Sequence, residues 1–170
     1  AAEKNMAIEE LMVLGERVRS NTRTLGVAIN SGISPITNKS MFTLPDDEVF
    51  IGMGVHGEPG VARRKLTTVK DLVSFMMSKI LEDKDIKSGT TVIVLINGMG
   101  GSTLMELYSV FNEVNKFLKE KLIENVSPMI GSFSTTQETA GFSISLLIPD
   151  DLMLSLWRAP HITPNFPLIR

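Results

Sequence analysis

Five consecutive apolar residues, Val92-Ile93-Val94-Leu95-Ile96, constrain the fold of this chain more than any other stretch. A strand with one wet face alternates apolar and polar side chains. This run does not alternate, so it predicts a strand covered on both faces. It is preceded by Ser88-Gly89 and followed by the glycine-rich loop Asn97-Gly98-Met99-Gly100-Gly101-Ser102-Thr103. Leu104, Leu107, Tyr108, Phe111, Val114 and Leu118 then recur at helical spacing. A buried strand, a short loop and an amphipathic helix in that order make half of an α/β unit.

The rest of the chain extends the pattern. Ile8, Leu11, Met12, Gly15 and Val18 predict an amphipathic helix over residues 3–19, and residues 24–29 read as a buried strand. A polar loop from Asn30 to Ser40 precedes a strand over 48–55. Thr68 is placed to cap a helix whose face is Val69, Leu72, Val73, Met76 and Ile80. Residues 127–134 and 141–148 read as two more strands, and their short connection, Thr135 to Ala140, predicts an antiparallel pair. Pro149-Asp150-Asp151 opens a last short helix through Trp157, ahead of an irregular Pro-rich tail. The fold class expected is α/β, a single compact domain with a mixed β-sheet covered by helices.

Composition narrows the function classes. In 170 residues, 43% are hydrophobic, enough for an ordinary core, and the net charge is −2. Nucleic acid and an anionic membrane are therefore not expected as partners. Cysteine is absent, which removes disulfides, thiolate metal sites and thiol nucleophiles together. No apolar run is long enough to span a bilayer and the N-terminus lacks a signal-peptide core, so a cytoplasmic protein is expected. The ten methionines fall mostly on predicted core faces and read as packing material.

Chemistry is suggested most strongly by GMGVHGEPG, residues 52–60. His56, one of two histidines, follows a strand and sits among Gly54, Gly57, Glu58, Pro59 and Gly60. Glycines and a proline make a sharply turning loop whose main chain a ligand can approach closely. Spacing alone leaves open both a reactive histidine and an exposed one in a tight turn. Gly52, Gly54 and Gly57 formally match the dinucleotide-binding fingerprint, which requires a helix opening at the third glycine. Here Glu58-Pro59-Gly60 and the basic run Arg63-Arg64-Lys65 follow instead, so a Rossmann cofactor site is rejected.

Weaker candidates carry two readings each. The loop 97–103 lies where α/β sheets often place ligands at a helix N-terminus. Its glycines equally suit close strand–helix packing, with Ser102 as a cap; it lacks the Lys of a P-loop. The polar stretch Ser134 to Thr139 reads as a solvated hairpin end or the wall of a site. His161 in the tail is expected at the surface. Arg63-Arg64-Lys65 reads as a solvated charge run or a phosphate attractor.

Three segments carry a family resemblance: EVFIGMGVHGEPGVARR, VLINGMGGSTLMELY and ETAGFSISLL. Together they resemble the second half of the dihydroxyacetone kinase substrate-binding domain, from about Leu14 to Trp157. The resemblance implies that residues 1–170 form the C-terminal subdomain of that domain. His56 would then anchor dihydroxyacetone covalently as a hemiaminal, with Gly54, Gly57, Glu58 and Gly60 shaping its loop. It also implies a first half, supplying a general-base Asp and a Lys, with no counterpart in this chain. The phosphoryl donor, ATP or ADP with magnesium, is expected on a partner kinase subunit or domain, either as a bound ATP or as a nucleotide kept as a cofactor and rephosphorylated by the phosphotransferase system. No cofactor or metal is expected on this chain, and a homodimer is implied. Departures at Gly101-Ser102-Thr103 and in SGISPITNK leave a second reading open, a paralogue that binds the ketone and acts as a transcriptional co-activator.

Overall fold

The computed structural model describes residues 1–54 and 60–163. Among these, a seven-stranded mixed sheet and four α-helices form one α/β layer structure. The strands are β1 (Thr22–Ala28), β2 (Glu48–Ile51), β3 (Ala62–Lys65), β4 (Thr91–Gly98), β5 (Glu124–Asn125), β6 (Met129–Gly131) and β7 (Gly141–Leu147). The helices are α1 (Ile8–Asn21), α2 (Val69–Lys84), α3 (Leu104–Glu120) and α4 (Asp151–Trp157), and a 3₁₀ turn, Ala2–Lys4, precedes α1. No helix among the described residues is long and apolar enough to cross a membrane.

The sheet order is β3-β2-β1-β7-β4, and the edge beyond β4 is shared by β5 and β6. β4 is central as its sequence predicts: Val92, Ile93, Val94 and Ile96 are all buried. β7 lies antiparallel between β1 and β4, in registers running from Thr22 opposite Leu147 to Ala28 opposite Gly141, and from Ile93 opposite Leu147 to Gly98 opposite Phe142. β5 and β6, both reached through the α3 crossover, pair with β4 in parallel.

That arrangement corrects the expected pairing of residues 127–134 with 141–148. β6 and β7 are not neighbours, because β4 lies between them. The reason is burial. Phe142, Ile144 and Leu146 reach the core only from the centre of the sheet, where β7 also bonds two full ladders. A hairpin with the three-residue β6 would have left that strand at an edge.

One face of the sheet is apolar and fully covered. Val27, Ile51, Val92, Val94, Ile96, Phe142, Ile144 and Leu146 pack against Leu72, Val73, Met76, Met77 and Ile80 of α2 and Leu107, Val110, Val114 and Leu118 of α3. Each such side chain contributes about 1.5–3 kcal/mol on burial. Thr68 caps α2 as expected, its Oγ1 accepting from the N–H of Asp71. Strand periodicity sends Ser143, Ser145 and Thr24 to the other face, where Thr24 and Ser145 share a 2.8 Å hydroxyl contact.

Three elements depart from expectation. The predicted apolar stripe of α1 is not buried: Ile8, Met12 and Val18 are 64%, 69% and 37% exposed. The expected strand over 48–55 ends at Ile51, because Gly52 adopts φ +78°, a left-handed angle that breaks the ladder. Arg63-Arg64-Lys65, expected as a charged approach to a helix, is instead the exposed edge strand β3. That strand, and not a helix, follows the 52–57 glycines, in keeping with the rejection of a dinucleotide fold there.

Candidate functional site

Four chain segments meet beyond the carboxyl ends of β1 and β4: the loop after β1, the residues after β2, the loop 99–103, and the loop 132–140 that leads into β7. Asn97, buried at the end of β4, organises them. Its Oδ1 accepts from the N–H groups of Phe133 and Ser134 at 2.8 and 2.9 Å, and its Nδ2 donates to the Ser134 carbonyl at 2.7 Å. The backbone continues the lock. Thr136 N–H donates to the Met99 carbonyl and Gly101 N–H to that of Thr139, both at 2.9 Å. Ile29 and Asn30 N–H groups donate to the Ala140 carbonyl. Gly100 has φ +118°, and a Cβ there would lie 2.6 Å from the Thr136 carbonyl oxygen. The polar loop is thus pinned to its neighbours through its backbone, with Thr139 buried, while Ser134, Thr135, Gln137 and Glu138 are exposed.

What this loop encloses is a cavity of about 150 Å³. Met41, Phe42, Phe50 and Met53 supply an apolar lining, and Gly54, Thr136 and Thr139 complete it. Phe42 and Phe50 meet edge to face, with centroids 5.8 Å apart. Gly54 therefore belongs to the wall, two residues before His56 in the sequence. His56, Gly57 and Glu58 lie outside the described residues. Gly60 packs where a Cβ would stand 2.6 Å from the Phe50 ring and 2.7 Å from the Ile51 carbonyl oxygen. Its requirement is space.

The other candidates resolve differently. Ser102 does not cap α3; its Oγ donates to the carbonyl and accepts from the N–H of Gly141, each at 2.9 Å, and so pins the start of β7. Thr103 is the cap: its Oγ1 accepts from Glu106 N–H, and the Glu106 carboxylate accepts from Thr103 N–H at 2.7 Å. Those bonds hold the Glu106 carboxyl below the usual carboxylate range. The Thr103 N–H at the mouth of the helix is thereby taken by the chain's own carboxylate, which favours the packing reading of the loop 97–103 over an anion site. Arg63 and Arg64 lie over the rings of Phe50 and Phe75, at 4.8 and 3.9 Å, and Lys65 pairs with Asp47. His161, expected at the surface, is half-buried, with Nδ1 2.9 Å from the Ala159 carbonyl oxygen. Among the described residues no group of three or more His, Cys, Asp or Glu could hold a metal ion.

Two residues that matter here were not singled out by pattern. Asn97 reads in sequence as the first residue of a loop, and only its burial and three bonds mark its role. Thr139 is one of several polar residues in a row, and nothing in that row distinguishes the one that faces the interior.

A family model described as "Dak1 domain" matches residues 1–165. The chain is 35% identical over 166 residues to the dihydroxyacetone-binding subunit DhaK of the PTS-dependent dihydroxyacetone kinase 2 of Listeria innocua. That match covers 98% of this chain and 50% of the subunit, so the chain spans about half of that relative's length. Its fold superposes on the dihydroxyacetone kinase operon co-activator Dha-DhaQ with a TM-score of 0.85 and 29% identity, covering 91% of this chain and 48% of the other. The native dihydroxyacetone kinase of C. freundii shares the fold at a TM-score of 0.84 and 24% identity, over 98% of this chain and 30% of the kinase.

Proposed function

The chain belongs to the Dak1 domain family, and from that premise we propose that it binds dihydroxyacetone covalently through His56 and presents it for phosphorylation to dihydroxyacetone phosphate. One observation carries the reading: HGEPG stands intact in a chain that aligns over 98% of its length with a dihydroxyacetone-binding subunit. The chemistry suits the residue. A neutral imidazole nitrogen adds to the ketone carbon, the carbonyl π bond opens, and the imidazole proton ends on the former carbonyl oxygen. The product is a hemiaminal that leaves both hydroxymethyl groups free. Glycerol, which has no electrophilic carbon, is rejected by the same step.

In this division of labour the chain binds and orients the ketone. The phosphoryl donor, with its magnesium, belongs to a nucleotide-binding kinase subunit or domain, and an acid–base group comes from a first half like that of the longer relatives. We place the assembly in the cytoplasm as a homodimer. Intact-mass measurement under native conditions checks the anchor. Wild-type protein with dihydroxyacetone should gain the mass of one ketone, and His56→Ala should not. An adduct that persists in the variant removes His56 from the role.

A second reading is favoured by the TM-score of 0.85 and 29% identity to the operon co-activator. In that case the same hemiaminal reports dihydroxyacetone to a transcription factor and no phosphate is transferred. Mixing the protein with its nucleotide-carrying partner and following dihydroxyacetone phosphate separates the two: product supports the kinase, and its absence beside an intact adduct supports the co-activator.

A further inference from the structure

The hydroxyl of Thr139 is the least expected group in the described fold. Thr139 is fully buried, at 0% exposure, and its Oγ1 has no hydrogen-bond partner among the described residues. Buried hydroxyls are normally paired, since leaving one bare forfeits its bonds to water without replacement. A valine of the same shape would avoid that penalty. The residue cannot turn its backbone away, because its carbonyl accepts from Gly101 N–H and a bridge to Gly100 holds the segment. It also lines the 150 Å³ cavity that Gly54 and Thr136 share.

We propose that Thr139 is a specificity-determining residue whose hydroxyl hydrogen-bonds a hydroxyl group of a short, uncharged hydroxyketone held in this cavity. The proposal rests on the functional reading above and names what that site recognises besides the carbonyl. The lining supports the ligand class. Met41, Phe42, Phe50 and Met53 suit the carbon skeleton of a small ketose, Thr139 and Thr136 suit its hydroxyls, and none of the described lining residues carries a charge to welcome a phosphate. Covalent capture selects for a carbonyl, whereas a buried hydroxyl selects for a carbinol beside it. A site built to pair with a substrate hydroxyl discriminates against analogues lacking it, because the site's own group is then left bare.

The test compares wild type with Thr139→Val, which keeps the shape and loses the hydroxyl, and Thr139→Ser, which keeps the hydroxyl. Dihydroxyacetone affinity is measured by calorimetric titration of the intact protein, and melting temperature is measured on the same samples. Thr139→Val should bind dihydroxyacetone about five- to tenfold more weakly, the worth of one hydrogen bond. Its Tm without ligand should rise by about 2–4 °C, because an unpaired hydroxyl has been removed from the interior. Thr139→Ser should bind within about twofold of wild type. A purely structural threonine would not give weaker binding together with a higher melting temperature. Wild-type affinity in Thr139→Val overturns the proposal, as does Thr139→Ser binding as weakly as Thr139→Val. The His56→Ala adduct measurement is independent of this comparison: an adduct surviving there rejects the covalent anchor, and the Thr139 series still reads on affinity. Wild-type protein that binds no dihydroxyacetone rejects both.

Discussion

At the scale of single residues, the loop cluster depends on a few side chains with no substitute. Asn97 satisfies two N–H groups and one carbonyl that no strand reaches. Asn97→Leu fills the volume and strands all three, so it should lower stability by about 1–3 kcal/mol, read as a shift of the urea midpoint at constant slope. A change within about 0.5 kcal/mol would mean that the glycine contacts hold the loop by themselves. Gly60 makes a different demand. A side chain there meets the Phe50 ring and the Ile51 carbonyl, both part of the β2 ladder or the cavity wall. Gly60→Val should therefore destabilise by about 1–3 kcal/mol through overpacking, and dihydroxyacetone binding should fall with it. Full stability in Gly60→Val would show that the β2 end yields easily.

At the scale of elements, the helix termini couple stability to pH. The Glu106 carboxyl is lowered chiefly by the Thr103 N–H, and that of Asp150 by the Met153 N–H at the start of α4, with Arg17 adding to it. Both groups are acids whose folded-state affinity for protons is depressed. Their stabilising contribution is present above the unfolded-state carboxylate pKa and is lost as pH falls through the lower folded value. Between about pH 5 and pH 3, wild type should therefore lose stability more steeply than the Glu106→Gln, Asp150→Asn double variant. Parallel curves would mean that the caps contribute nothing through charge. Helix α1 offers a second check. Its apolar residues Ile8 and Met12 are mostly exposed, so replacing both with Gln should change the stability of this chain by less than about 0.5 kcal/mol per site. A loss well beyond that would show α1 packed by its stripe. The helix was legible from period alone, but period says which residues share a face and not whether anything covers it.

At the scale of the whole molecule, the chain has a core of its own in the α2–α3 layer over the sheet. It should melt in one cooperative transition by calorimetry, while ATP with dihydroxyacetone should yield no dihydroxyacetone phosphate from this chain alone. Turnover by the isolated chain would overturn the assignment of phosphoryl transfer to other parts. The sequence by itself determined the α/β class, the buried β4, the cap of α2, the start of α4 and the family. Each of these is local: a hydrophobic period, a capping residue, or a contiguous motif. It did not determine that β6 and β7 lie on opposite sides of β4, that Ser102 pins β7 while Thr103 caps α3, or that Thr139 turns inward with its hydroxyl unpaired. Those outcomes rest on contacts between segments far apart in sequence, such as Ile93 with Leu147 and Ser102 with Gly141. They follow from which strand gains most from the middle of the sheet and where the loops close over it, and no local pattern encodes either.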